Sequence, residues 1–148
     1  GIKNTVVATA LPQLLNQNGY FTIHVGKAHF ASYGSPAADP QNIGFSVNIA
    51  GDTKGSPGSY LGEENYGNDE VGEYTFSKGN RGLEAYHGTD VFLTEALTLE
   101  AKKQMDKAIS LKYPFFLGNF AKSHEKIICN YRNRCSIWHG KRTTSYTL

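Results

Sequence analysis

Apolar positions recur at helical spacing in two stretches of the chain and gather into strand-like runs in two others. Leu11, Leu14 and Leu15 form one short stripe, which predicts a helix from about Ala10 to Asn18. Thr9 suits its N-cap, Pro12 its first turn and Gly19 the C′ position. A stronger helix is predicted from about Asp90 to Ile109. Phe92, Leu93, Ala96, Leu97, Ala101, Met105 and Ala108 fall on one face of it. Thr89 or Asp90 suits its start, and Lys107 and Lys112 its end. Tyr20–Val25 reads as a strand with Phe21, Ile23 and Val25 on one side, and Pro114–Leu117 as a short buried strand. Helix, strand, loop, helix and strand in that order predict an α/β fold, with a mainly parallel sheet and flanking helices.

The pattern fades elsewhere. Residues 30–88 are rich in Gly, Pro, Ser, Asn and Asp, with turn signals at Ser35-Pro36, Asp39-Pro40 and Ser56-Pro57-Gly58. So long a connection is usually functional or an insertion. Phe45, Val47, Ile49, Tyr60 and Tyr66 within it argue against simple disorder. From Gly118 onward no reliable period is visible.

Composition is that of an ordinary globular domain, with 39% hydrophobic and 19% charged residues in 148. The charge is unevenly spread. Residues 1–118 carry nine Lys/Arg against twelve Asp/Glu, whereas residues 119–148 carry six Lys/Arg and only Glu125. The chain therefore divides into residues 1–117 and a basic tail, 118–148. No apolar stretch is long enough to span a bilayer. The opening Gly1-Ile2-Lys3-Asn4 reads as the interior of a longer sequence, without a leader. Cys129 and Cys135 could pair, but two thiols make no disulfide framework.

Candidate chemistry concentrates in Gly19-Tyr20-Phe21-Thr22-Ile23-His24-Val25-Gly26-Lys27-Ala28-His29. Here a strand delivers a Lys and a His at its carboxyl end, where ligand sites of open α/β sheets lie. Lys27 and His29 are two residues apart, so an extended backbone turns both side chains to the same side. Gly26 allows a positive φ or a close approach to a ligand. A Lys beside a His suits an oxyanion such as sulfate or phosphate. Spacing alone does not make a site, because a Lys and a His after a strand are more often ordinary surface residues.

The stretch resembles the second signature of the sulfatases, Gly-Tyr-x-Thr-x-x-x-Gly-Lys-x-His. Gly19, Tyr20, Thr22, Gly26, Lys27 and His29 occupy its fixed positions, with Ala28 where Trp is common. Leu11–Leu15 is similar to the family's preceding helix. Tyr86–Asp90, the helix to Ile109 and Pro114–Leu117 are similar to its next helix and strand. The resemblance covers about residues 9–117 and implies part of an alkaline phosphatase-like α/β sandwich.

By resemblance, the chain is expected to be a sulfatase fragment, inactive alone. The full-length family hydrolyses sulfate esters through a formylglycine nucleophile and a bound Ca²⁺. Lys27 would contact the sulfate electrostatically, and His29 would hydrogen-bond the nucleophile's hydroxyl or shuttle its proton. Tyr20 and Thr22 would support the strand. The substrate would be a glycan or aryl sulfate, with a steroid sulfate also open, in a periplasmic, secreted or lysosomal setting. Two departures stand out. The first signature, Cys/Ser-x-Pro-x-Arg, is absent, as is the acidic pair that helps hold Ca²⁺, and no Ca²⁺ ligand set can be assembled from these residues. Beyond Leu117, His124 sits near the place of a sulfate-binding His, but in surroundings that do not match.

Other readings are a phosphate or phosphonate ester hydrolase of the same superfamily, and a non-enzymatic module binding nucleic acid through the basic tail with Tyr131 and Trp138. His124, Cys129, Cys135 and His139 match no strong zinc spacing. His24 reads as a packed or half-exposed strand histidine, and His87 as a cap or local hydrogen-bonding residue before the helix. Glu63-Glu64 and Asp69-Glu70 read as solvated loop charges.

Overall fold

The computed structural model describes residues 9–54, 56–67, 82–119, 126–129, 134–138 and 143–147. His124, Tyr131, His139 and the Asp69-Glu70 pair lie outside them.

The first helix, α1, spans Leu11–Gln17. Its N-cap is Ala10, without a side-chain cap, so Thr9 does not take the predicted role. Its exit follows the prediction. Gly19 stands at φ 83°, its N–H donating to Asn16 O at 3.0 Å and that of Tyr20 to Leu15 O at 3.1 Å. This pair of bonds is the Schellman motif, which needs a left-handed residue at Gly19. The leucine stripe is not buried: Leu11 is 48% and Leu14 51% exposed. Polar contacts tie α1 down instead. The Asn16 amide donates to Ser46 Oγ at 2.7 Å and to Thr22 Oγ1 at 3.3 Å. A Cβ on Gly44 would lie 2.2 Å from Gln13 Cα, so the following loop passes directly against the helix.

Strand β1, Phe21–Val25, leaves that turn. It pairs in parallel with β2, Val47–Ile49, on one side and with β3, Phe115–Asn119, on the other. Three strands, β4 (Lys126–Cys129), β5 (Arg134–Trp138) and β6 (Thr143–Thr147), continue antiparallel in the order β2-β1-β3-β4-β5-β6. The parallel part agrees with the α/β expectation, while residues 126–147 add antiparallel pairing that no period announced. Cys129 and Cys135 are register partners across β4 and β5.

β1 is buried on both faces, as a strand flanked on both sides in a covered parallel sheet must be. Ile23 and Val25 join Ile49, Phe115 and Leu117 against the second helix, α2, Leu93–Ser110. Thr22 and His24, both fully buried, share the other face with Phe116 of β3, where Phe45 packs against His24 and Phe116. α2 buries Leu93, Ala96, Leu97, Ala101 and Ala108 as the periodicity predicts. Its start differs: the N-cap is Phe92, exposed and stacked on Tyr60 at 5.7 Å. Phe92 bridges Leu61, and Leu93 N–H donates to Tyr60 O at 2.9 Å. That extended contact satisfies the first helical donor and leaves Thr89 outside the helix, its hydroxyl donating to Tyr86 O at 2.6 Å.

Candidate functional site

The signature-like segment divides into residues that build backbone and residues that face solvent. Gly19 supplies the left-handed turn described above. Thr22 is fully buried, and its hydroxyl donates to Gly44 O at 2.7 Å and accepts from Ser46 N at 2.9 Å. It therefore ties β1 to the chain entering β2. Gly26 takes φ 89°, and its N–H donates to Ile49 O at 2.8 Å, which turns the chain off the end of β1 while still bonding to β2. A side chain at that φ would be strained.

Beyond Gly26, exposure alternates: Lys27 is exposed, Ala28 buried and His29 exposed. Lys27 and His29 are thus both exposed beyond the carboxyl end of the middle parallel strand, on a backbone that is not the extended one their spacing assumed. His29 stands at φ 52°, a left-handed conformation uncommon outside glycine. Its N–H donates to Asp52 O at 2.8 Å, which fastens it to the loop after β2. Ala50 in that loop is also left-handed, at φ 56°. Strained backbone of this kind gathers at functional sites more than elsewhere.

The loop after β2 is highly ordered by its own bonds. Asn48 Nδ2 donates to Gly51 O at 2.9 Å, and Gly51 N–H donates to Asn48 Oδ1 at 2.9 Å. The same amide reaches Asp39 Oδ1 at 3.3 Å. Asp52 Oδ1 accepts from the Thr53 hydroxyl at 3.0 Å and from the Thr53 N–H. Together with Tyr33 and Asn42, these residues line an open cavity of about 500 Å³. Lys27 and His29 do not line it; they are joined to its wall through the His29–Asp52 bond.

His24 lies below both loops and is fully buried. Burial lowers its pKa to about 4, against the raising effects of the Gly26 carbonyl and Asp39. The sequence marks Asp39 only as part of a turn signal and does not mark Asn48, Gly51 or Asp52. Asn48-x-x-Gly51-Asp52 is a turn pattern that could have marked them. Among the described residues, no group of three or more His, Cys, Asp or Glu is placed to hold a metal ion.

The chain matches no protein-family profile and no curated protein.

Proposed function

We propose that the segment following β1 is the sulfate-binding part of a sulfuric ester hydrolase site. The observation that carries this reading is the division of labour within Gly19–His29. The fold accounts for Gly19, Thr22 and Gly26 through backbone geometry and strand pairing. Lys27 and His29 remain, both exposed beyond a parallel strand's carboxyl end.

In this reading Lys27 supplies fixed positive charge to the sulfate oxygens, and His29 supplies a hydrogen-bond donor or proton acceptor beside them. Among the described residues, no group of three or more His, Cys, Asp or Glu is placed to hold the family's Ca²⁺. The formylglycine of the full-length family likewise has no matching motif in these residues. The function proposed for this chain is therefore recognition of the sulfate group and handling of a proton beside it. The parallel β2-β1-β3 unit with α2 packed behind it supports placing the chain as part of an alkaline phosphatase-like sandwich.

The test is binding of inorganic sulfate, followed through the backbone amide signals of residues 26–29, with inorganic phosphate as competitor. Saturable shifts centred on Lys27 and His29, lost in Lys27→Ala, support the proposal. Absence of any sulfate-dependent shift overturns it, and strong preference for phosphate moves the reading to a phosphate or phosphonate ester hydrolase.

A further inference from the structure

Beneath the Lys27–His29 segment lies a side chain for which sulfate recognition has no direct use. His24 is fully buried, but it is more than packing. Its Nε2 lies 3.0 Å from the Gly26 carbonyl oxygen. A carbonyl only accepts, so Nε2 carries the hydrogen in the neutral ring. Phe30 and Phe45 meet the imidazole edge-to-face, at 5.4 and 5.1 Å between centroids. Gly51 closes another edge: a Cβ there would stand 2.5 Å from His24 Cδ2 and 2.8 Å from Nε2. One ring therefore touches the loop leaving β1 at Gly26 and the loop leaving β2 at Gly51.

Each of these loops holds a non-glycine residue in the left-handed region, His29 at φ 52° and Ala50 at φ 56°. Such conformations persist only where the surroundings enforce them. The bonds from Gly26 N–H to Ile49 O and from His29 N–H to Asp52 O join the two loops along the top. His24 joins them from below.

We infer that His24 is a positioning residue for the oxyanion site: its Nε2–H on Gly26 O and its ring edge against Gly51 hold both loops so that Lys27 and His29 face solvent together. The inference rests on the sulfate reading above for what those two side chains bind. With its pKa held near 4, the ring stays neutral at ordinary pH, and Nε2 keeps its hydrogen for Gly26. Asp39 is the charged group whose field acts on it, and that field favours protonation.

The test compares His24→Gln, which retains an N–H donor able to reach the Gly26 carbonyl, with His24→Phe, which fills the aromatic pocket without one. Inorganic sulfate is the probe, read at the amides of residues 26–29. Positioning predicts that His24→Gln binds sulfate within about threefold of the parent, while His24→Phe loses about tenfold, the loss expected for one well-placed hydrogen bond. A merely structural ring predicts the reverse order, and parent-like binding by His24→Phe overturns the inference. If the parent chain itself binds no sulfate, the functional reading fails separately. The Cα and Cβ shifts of His29 then decide for His24: they should report a left-handed backbone in the parent and in His24→Gln but not in His24→Phe, and an unchanged His29 in His24→Phe overturns it. Should His24→Phe not fold, the ring ¹⁵N shifts of the parent are decisive. An Nε2–H tautomer supports the clamp, and an Nδ1–H tautomer refutes it.

Discussion

His29 and Asp52, separated by 22 intervening residues, are joined backbone to backbone by a 2.8 Å hydrogen bond. The bond ties the end of the Lys27–His29 segment to the loop after β2. It makes the exposed pair and the neighbouring cavity wall parts of one construction at the carboxyl end of the sheet.

Lys27→Ala should separate binding from stability. The side chain is exposed and lies beyond the core, so unfolding free energy should change by no more than about 0.5 kcal/mol. Sulfate-induced amide shifts at residues 26–29 should disappear. Urea denaturation and a sulfate titration on the same sample check both halves. A variant that is destabilised and still binds would refute the role given to Lys27.

Gly51→Ala should damage the fold at this same corner. The added methyl would meet Asn48 Oδ1 at 2.3 Å and His24 Cδ2 at 2.5 Å. Neither is a flexible chain end: the amide is bonded to Gly51 itself, and the ring packs edge-to-face against both Phe30 and Phe45. Overpacking of this kind costs about 1–3 kcal/mol. A denaturant midpoint equal to that of the parent would contradict the packing described.

Stability should fall on acidification because of His24. Its pKa is lowered from 6.5 to about 4, chiefly by burial, so the folded state refuses a proton that the unfolded chain accepts. The contribution is intact above pH 6.5 and declines as pH falls from there toward 4. At about 1.4 kcal/mol per pKa unit, roughly 2 kcal/mol should be lost between about pH 7 and pH 5. Urea unfolding at the two pH values, in the parent and in His24→Gln, isolates the effect. An equal decline in both proteins would assign it to other groups.

Lys112→Gly should stabilise the end of α2. Lys112 stands at φ 57°, with its N–H on Ile109 O and that of Tyr113 on Ala108 O, the Schellman pattern again. Relief of the left-handed strain exceeds the added freedom of glycine in the unfolded chain, for a gain of roughly 0.5–1 kcal/mol. A thermal midpoint that falls would show that the Lys112 side chain contributes more than its backbone costs.

Much of the fold is legible along the chain, for identifiable reasons. Gly19 after a leucine stripe marks a helix end because only glycine takes that turn without strain. The α2 face is legible because six or seven apolar positions repeat the helical period. β2 is not legible in the same way, although Phe45, Val47 and Ile49 alternate as a strand does. Three residues flanked by turn signals are too few for a period to stand out. The start of α2 differs from the expected one because Thr89 and Asp90 are good caps in isolation, whereas Leu61 captures Phe92 through a contact distant in sequence. The exposed stripe of α1 differs for a related reason: periodicity identifies an apolar face but not whether anything covers it.

For the site, the sequence by itself picked out Lys27 and His29 as the candidates for chemistry. Lys27 and His29 follow a β-rich run and a glycine, and both are exposed beyond the strand's end; strand alternation does not set their directions, because Gly26 at φ 89° and His29 at φ 52° take the backbone out of the extended region. What surrounds them was decided only by tertiary structure. The parallel pairing of β1 with β2 brings Asn48–Asp52 beside Gly26–His29, and no local pattern encodes a contact across that distance. The same pairing buries His24 between the two loops, where desolvation, rather than anything in its immediate sequence, sets its protonation.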